Sequence, residues 1–227
     1  MPRRHKTKDQ KRVTGGIPDP NSLNEHWGAL HARPLHDLLK RHSLLWQGAH
    51  FRTRFSSSNR STRFQAYWEL YLYDVLYHKN LHPQLHAKDQ GPDFKCTIEN
   101  DDVTLWVEAV APSFTEPANE DCILKALANK HAQLNNNKDR NRRDLCVIAI
   151  NTALSKMPTS QISTSIAKYF ECADYNALKT KGDISGILLS NCYFDTPQDQ
   201  FTLPYVPNPF FTNGPRVETS FLFDILH

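Results

Sequence analysis

The run Leu145-Cys146-Val147-Ile148-Ala149-Ile150 constrains the fold more than any other part of this chain. Six consecutive apolar residues offer no polar side to water. A strand with that pattern is buried on both faces, as a central strand is when helices cover its sheet from either side. Ile184–Ser190 is a second apolar strand. Upstream, Asp93–Glu99 and Val103–Ala111 are of strand length, joined by Asn100-Asp101-Asp102, whose residue types suit a hairpin turn. A short strand is expected over 82–88, ahead of the Gly91-Pro92 turn signal. Three segments read as helices. In the first, Ser61 or Thr62 is the expected cap of a helix reaching about Asn80, with Phe64, Trp68, Tyr71, Leu72 and Val75 at helical spacing. Glu120–Asn135 and Ile162–Ala173 are the other two. The order helix, strand, hairpin, helix, strand, helix, strand predicts an α/β fold with a mixed central sheet between helices.

The flanks are less regular. Residues 1–22 read as a basic flexible arm and 23–60 as a helical extension. One or two helices are expected over 24–46, with Trp27, Leu30, Leu35, Leu38, Leu39 and Leu44 as apolar positions and a break or start at Arg33-Pro34. A loop is expected over 47–61. The main domain then spans 61–227, and its tail from Pro197 is expected to wrap the core without regular structure until about Thr219. Trp68, Tyr71, Trp106, Phe170 and Phe221 read as core. No internal repeat is visible.

Composition excludes some classes of protein. No window approaches the ~20 apolar residues of a membrane span, so no membrane partner is expected. The charged N-terminus has no apolar stretch behind it, which argues against a secretory signal. The five cysteines are widely spaced and lack any C-x-x-C pair. They read as free thiols of a reducing, cytoplasmic compartment, with no zinc site. Net charge is only +3, but the bases cluster. Arg3, Arg4, Lys6, Lys8, Lys11 and Arg12 form one group, Arg52, Arg54, Arg60 and Arg63 a second, and Lys138, Arg140, Arg142 and Arg143 a third. Clustered bases suit a polyanion such as nucleic acid, although any single cluster is equally a solvated tail or loop.

The chemistry is expected between Glu69 and Gln133. Alternation along Val103–Ala111 puts Thr104, Trp106, Glu108 and Val110 on one face. A carboxylate in so apolar a strand is costly unless something pairs with it. The hairpin brings it towards Asp93 at the mouth of the partner strand. Two carboxylates held together repel, and a divalent cation relieves that repulsion. Oxygen donors of this kind suit Mg²⁺ or Mn²⁺. In the following helix Ile123, Leu127 and Leu134 mark the inward stripe. Lys130 falls on it, with Gln133 one turn on.

Gly91-Pro92-Asp93-Phe94 followed by Glu108 resembles the PD-(D/E)XK, or restriction-endonuclease-like, nuclease superfamily, over roughly residues 61–195. The resemblance implies an αβββαβ core. It also implies a site in which Asp93, Glu108 and the Ala109 carbonyl hold Mg²⁺ (or Mn²⁺), assisted by Glu69 on the preceding helix. The lysine of the Glu-x-Lys motif is absent, since Val110 stands there. Lys130, with Gln133 beside it, is the substitute, as in bacterial members that take the lysine from the next helix. The implied activity is Mg²⁺-dependent endonucleolytic hydrolysis of phosphodiesters in nucleic acid, DNA ahead of RNA, with a homodimer as one way to cut two strands. The alternative is an inactive relative of the same fold, acting as a nucleic-acid-binding or protein-interaction module.

Overall fold

The structure, a computed structural model, describes residues 15–85, 92–98, 103–112, 120–137, 139, 144–153, 157–172, 184–190 and 205–207. Four helices lead the described chain: α1 (Pro20–Trp27), α2 (Ala29–Arg41), α3 (Ser43–Gln47) and α4 (Ala49–Phe55). Asp19 caps α1, its carboxylate accepting from the N–H groups of Asn21 at 2.8 Å and Ser22 at 2.9 Å, with Pro20 in the first helical position. Gly28, at φ 84°, closes α1 and turns the chain into α2, a conformation that a side chain would strain.

These helices depart from the sequence reading in three places. The breaks fall at Gly28 and His42, and Pro34 lies inside α2. Pro34 leaves the Leu30 carbonyl without its amide partner, but Leu30 is 86% exposed and water reaches it. Of the apolar positions named for these helices, Leu30 and Leu44 are exposed. The segment read as a loop contains α4, which buries Phe51 and Phe55.

Helix α5 (Arg60–His78) starts two or three residues earlier than expected, capped by Asn59, whose side chain accepts from the Thr62 N–H at 3.1 Å. It is buried almost all round, from Phe64 to Asp74 and at Leu76, with Gln65 and Val75 the half-buried exceptions. The sheet lies on one side of it. Residues of α1 to α4, among them Leu23, Leu39 and Phe55, belong to the same continuous core.

Among the described residues the sheet has six strands in sequence order: β1 (Gln84–Leu85), β2 (Phe94–Thr97), β3 (Thr104–Val110), β4 (Leu145–Asn151), β5 (Gly186–Ser190) and β6 (Tyr205–Pro207). The central strands β3, β4 and β5 are parallel, and β1, β2 and β6 pair antiparallel. The expected mixed sheet between helices is therefore present. Strand β6 corrects the reading of the tail as irregular: Val206 pairs with Ile187 and extends the sheet beyond β5. The turn 100–102, most of the loop after Pro112, the basic segments 1–13 and 140–143, and Phe221 lie outside the described residues.

Alternation divides the sheet into two faces. Leu105, Val107, Ala109, Val147 and Ala149 face α5. Trp106, Cys146, Ile148 and Ile150 face α6 (Glu120–Asn135) and α7 (Thr159–Glu171). Trp68, Tyr71, Trp106 and Phe170 are core residues, as expected. The Trp68 indole N–H donates to the Ala149 carbonyl at 3.1 Å, tying α5 to the sheet. No described helix is long and apolar enough to cross a membrane.

Candidate active site

The site begins where strand β2 gives out. Phe94 is its last residue paired with β3, opposite Val107. Continued by two residues, the register would set Pro92 against Ala109, and proline has no N–H to offer a ladder. The polar groups at the end of β3 must find other partners, and side chains supply them. Asp93 Oδ2 accepts from the Ala109 N–H at 2.8 Å. Gln65 Nε2 donates to the Ala109 carbonyl at 3.2 Å, and Gln65 Oε1 accepts from the Ala111 N–H at 2.7 Å. Proline has no N–H to give the Ala109 carbonyl, which takes its hydrogen bond from Gln65, and the Asp93 carboxylate next in sequence accepts from the Ala109 N–H.

Glu108 follows on the opposite face of β3, only 2% exposed. Its Oε1 accepts from Lys130 Nζ, whose side chain reaches in from the inward stripe of α6 beside buried Ile123, Leu127 and Leu134. Glu69, on α5, is gripped through both carboxylate oxygens by the Arg54 guanidinium of α4, and its Oε1 also accepts from Gln65 Nε2 at 3.1 Å.

Electrostatics tie these groups together. The Asp93 carboxyl is held well above its ordinary range, first by burial and then by the negative charges of Glu69 and Glu108. Lys130 and the Ala109 N–H pull the other way without prevailing. Glu108 is also raised, by burial first, against the opposing pull of Lys130. Burial alone would lower Lys130, but Glu108, Asp93 and Glu69 outweigh it and its affinity for the proton rises. Burial works the same way on Arg54, and Glu69 and Asp93 outweigh it.

Of the residues singled out in the sequence, Glu69, Asp93, Glu108 and Lys130 form one interacting group, and the Ala109 carbonyl lies at its edge. Gln133 is exposed and has no share in the hydrogen bonds that join them. Arg54 and Gln65 were missed as members. Gln65 had a signal, since it lies four residues before Glu69 on one helical face. Arg54 had none, because its helix was read as a loop. Two other arginines of that cluster serve the fold: Arg52 donates to the Trp46 carbonyl at 3.0 Å and Arg63 to the Ser57 carbonyl at 2.9 Å, with Arg63 also over the Trp27 ring.

The group has an unmet demand for positive charge. Among the described residues three carboxylates face two cations, and Glu108 Oε2 is buried without a hydrogen-bond partner. Among the described residues no group of three or more His, Cys, Asp and Glu side chains is arranged to hold a metal ion. The donors available are two carboxylates, Asp93 and Glu108, and a main-chain carbonyl. That set fits Mg²⁺, which is commonly held by one or two carboxylates and completed by water and phosphate. A cleft of about 430 Å³ beside α7, lined by Glu120, Met157 and Lys168 among others, contains none of these groups.

Comparison with known proteins finds no matching family model, no matching curated protein and no matching solved structure.

Proposed function

We propose that the chain is a metal-dependent nuclease of the restriction-endonuclease-like type, hydrolysing phosphodiesters in nucleic acid, DNA ahead of RNA. One observation carries the reading: Asp93, Glu108 and Lys130 converge from a strand mouth, a strand interior and a helix, and leave a buried Glu108 oxygen unpartnered. The succession α5-β1-β2-β3-α6-β4 supports it, being an αβββαβ order.

On this reading Asp93, Glu108 and the Ala109 carbonyl hold Mg²⁺ or Mn²⁺. When bound, the metal supplies Lewis-acid polarisation of the phosphate and a more acidic water. The protein's own groups do the rest. The Lys130 ammonium, fixed by Glu108, orients the attacking water and offsets charge that develops on the phosphate oxygens. Arg54 holds Glu69 towards the same space. The walls of β3 and α6 keep the carboxylates out of bulk water, which strengthens each of these interactions.

The test is calorimetric titration of Mn²⁺ into the wild type and the Asp93→Ala/Glu108→Ala variant, with and without a short DNA duplex, followed by cleavage of supercoiled plasmid. Binding by the wild type alone, with cleavage lost in Lys130→Ala, is the expected result. Full metal-dependent cleavage by Asp93→Ala would sink the assignment. DNA binding without cleavage under any divalent ion would leave a binding module on the same fold.

A further inference from the structure

Gln65 lies beside the end of β3 and bonds its main chain at two residues. Among the described residues the β2 side of β3 has no strand partner beyond Phe94, and the Gln65 carboxamide makes a pair of hydrogen bonds of the kind a neighbouring strand would make: Nε2 to the Ala109 carbonyl and Oε1 from the Ala111 N–H. The same Nε2 carries its second hydrogen to Glu69 Oε1. The orientation of the amide follows from its partners, because the Ala111 N–H needs an acceptor and the two oxygens need a donor. One planar group therefore fixes the exit of β3 to α5 and points a main-chain carbonyl and a carboxylate at a common donor.

We propose that Gln65 is a positioning residue of the metal site, holding the Ala109 carbonyl and Glu69 in register with Asp93 and Glu108. The inference rests on the nuclease reading above, because it takes the Ala109 carbonyl as a metal ligand. A carbonyl oxygen has two lone pairs, so the bond from Gln65 leaves one free for a cation. Without Gln65 the end of β3 keeps its ladder to β4, and on its other side the one remaining contact among the described residues is Asp93 at the Ala109 N–H. The carbonyl is then free to rotate towards water, and Glu69 is held by Arg54 alone. Groups that orient metal ligands in this way typically change metal affinity roughly 10- to 100-fold when removed.

The experiment compares wild type, Gln65→Met and Trp68→Phe by Mn²⁺ calorimetry in the presence of a non-cleavable phosphorothioate duplex, with thermal unfolding in chelator recorded alongside. Gln65→Met keeps the length of the side chain and removes all three hydrogen bonds. Trp68→Phe removes a buried helix-to-sheet hydrogen bond on the same helix, made to the Ala149 carbonyl and not to a proposed ligand. Both variants are expected to unfold at lower temperature, and only Gln65→Met is expected to bind Mn²⁺ roughly 10- to 100-fold more weakly. Unchanged Mn²⁺ affinity in Gln65→Met, or an equal loss in both variants, overturns the proposal while leaving the nuclease reading standing. Absence of Mn²⁺ binding in the wild type overturns both. Should Gln65→Met fail to fold, Gln65→Asn is read the same way, since its amide is one methylene too short to span Ala109 and Ala111.

Discussion

Replacing Lys130 by methionine tests the electrostatics of the site without reference to any ligand. The side chain keeps its length and its packing on α6, but Glu108, whose side chain is 3% exposed, loses its cation. Removing one member of a buried pair typically costs about 3–5 kcal/mol, because the remaining charge stays buried. The Lys130 side chain is itself 19% exposed, so the lower end applies, about 3 kcal/mol at pH 8. For a chain of this size that lowers the unfolding midpoint by about 6–12 °C, at roughly 2–4 °C per kcal/mol. Glu108 has an escape, which is to take up a proton. Burial already raises its pKa in the folded state, and loss of Lys130 removes the main pull downward. The sign follows from linkage. An acid whose folded pKa lies above its unfolded value of about 4.3 favours folding most at low pH, and that advantage is lost as pH rises through the folded pKa. Asp93, raised for the same reasons and also deprived of Lys130, moves in the same direction. The deficit of Lys130→Met against wild type is therefore expected to shrink as the pH falls from 8 to 5. Circular-dichroism melts in chelator at pH 5 and pH 8 measure both quantities. Adding Glu108→Gln to Lys130→Met is expected to recover about 2 kcal/mol at pH 8 by removing the buried charge. A deficit that is equal at the two pH values, or a double variant no more stable than the single one, would refute the argument.

Three further expectations follow from named contacts. Arg54→Met strands Glu69, which is 5% exposed; urea unfolding at pH 7.5 is expected to show a loss of about 3 kcal/mol, more than half of it restored by Glu69→Gln, and no restoration would mean that the pair does not hold α4 to α5. Asp74, buried on α5 against Arg41 and His42 at the end of α2, has a pKa below its ordinary value: burial pushes it up, but His42 and Arg41 outweigh burial. Its contribution is present above the unfolded pKa of 3.8 and lost as pH falls through the folded value. The stability gap between wild type and Asp74→Asn, followed by urea midpoints from pH 6 down to pH 2.5, should therefore close only in acid, and a gap independent of pH would count against the pairing. Cys96 is buried and its thiol is pushed up to about 12, whereas Cys122 and Cys172 are half-buried. Mass spectrometry after brief alkylation of the folded protein at pH 8 should find Cys96 unmodified while those two are labelled, and early labelling at Cys96 would contradict its burial.

The sequence alone determined what depends on local period and chain-neighbour geometry. An unbroken apolar run can only be a covered strand, so β4 was legible, and alternation placed Trp106 and Glu108 on one face of β3 before any helix was assigned to that face. The stripe Ile123, Leu127, Leu134 was enough to aim Lys130 at the sheet. A hairpin needs no long-range information to set its mouth beside the middle of its partner, so the nearness of Asp93 and Glu108 was also within reach. What only the tertiary structure decided depends on groups that meet without a shared period. Arg54 reaches Glu69 only because α4 folds back on α5, and the segment that carries it has too few apolar residues to announce a helix. Leu30 and Leu44 are exposed, and apolarity alone does not record which way a residue faces. The pairing of β6 with β5 is set by the open edge of the sheet and not by the Pro-rich tail itself. Gln65 finds Ala109 and Ala111 across 44 and 46 residues of chain, and it is called there by the amide that Pro92 lacks. Backbone hydrogen bonds left open by one residue are closed by whatever the fold brings near, and only the packed structure specifies what that is.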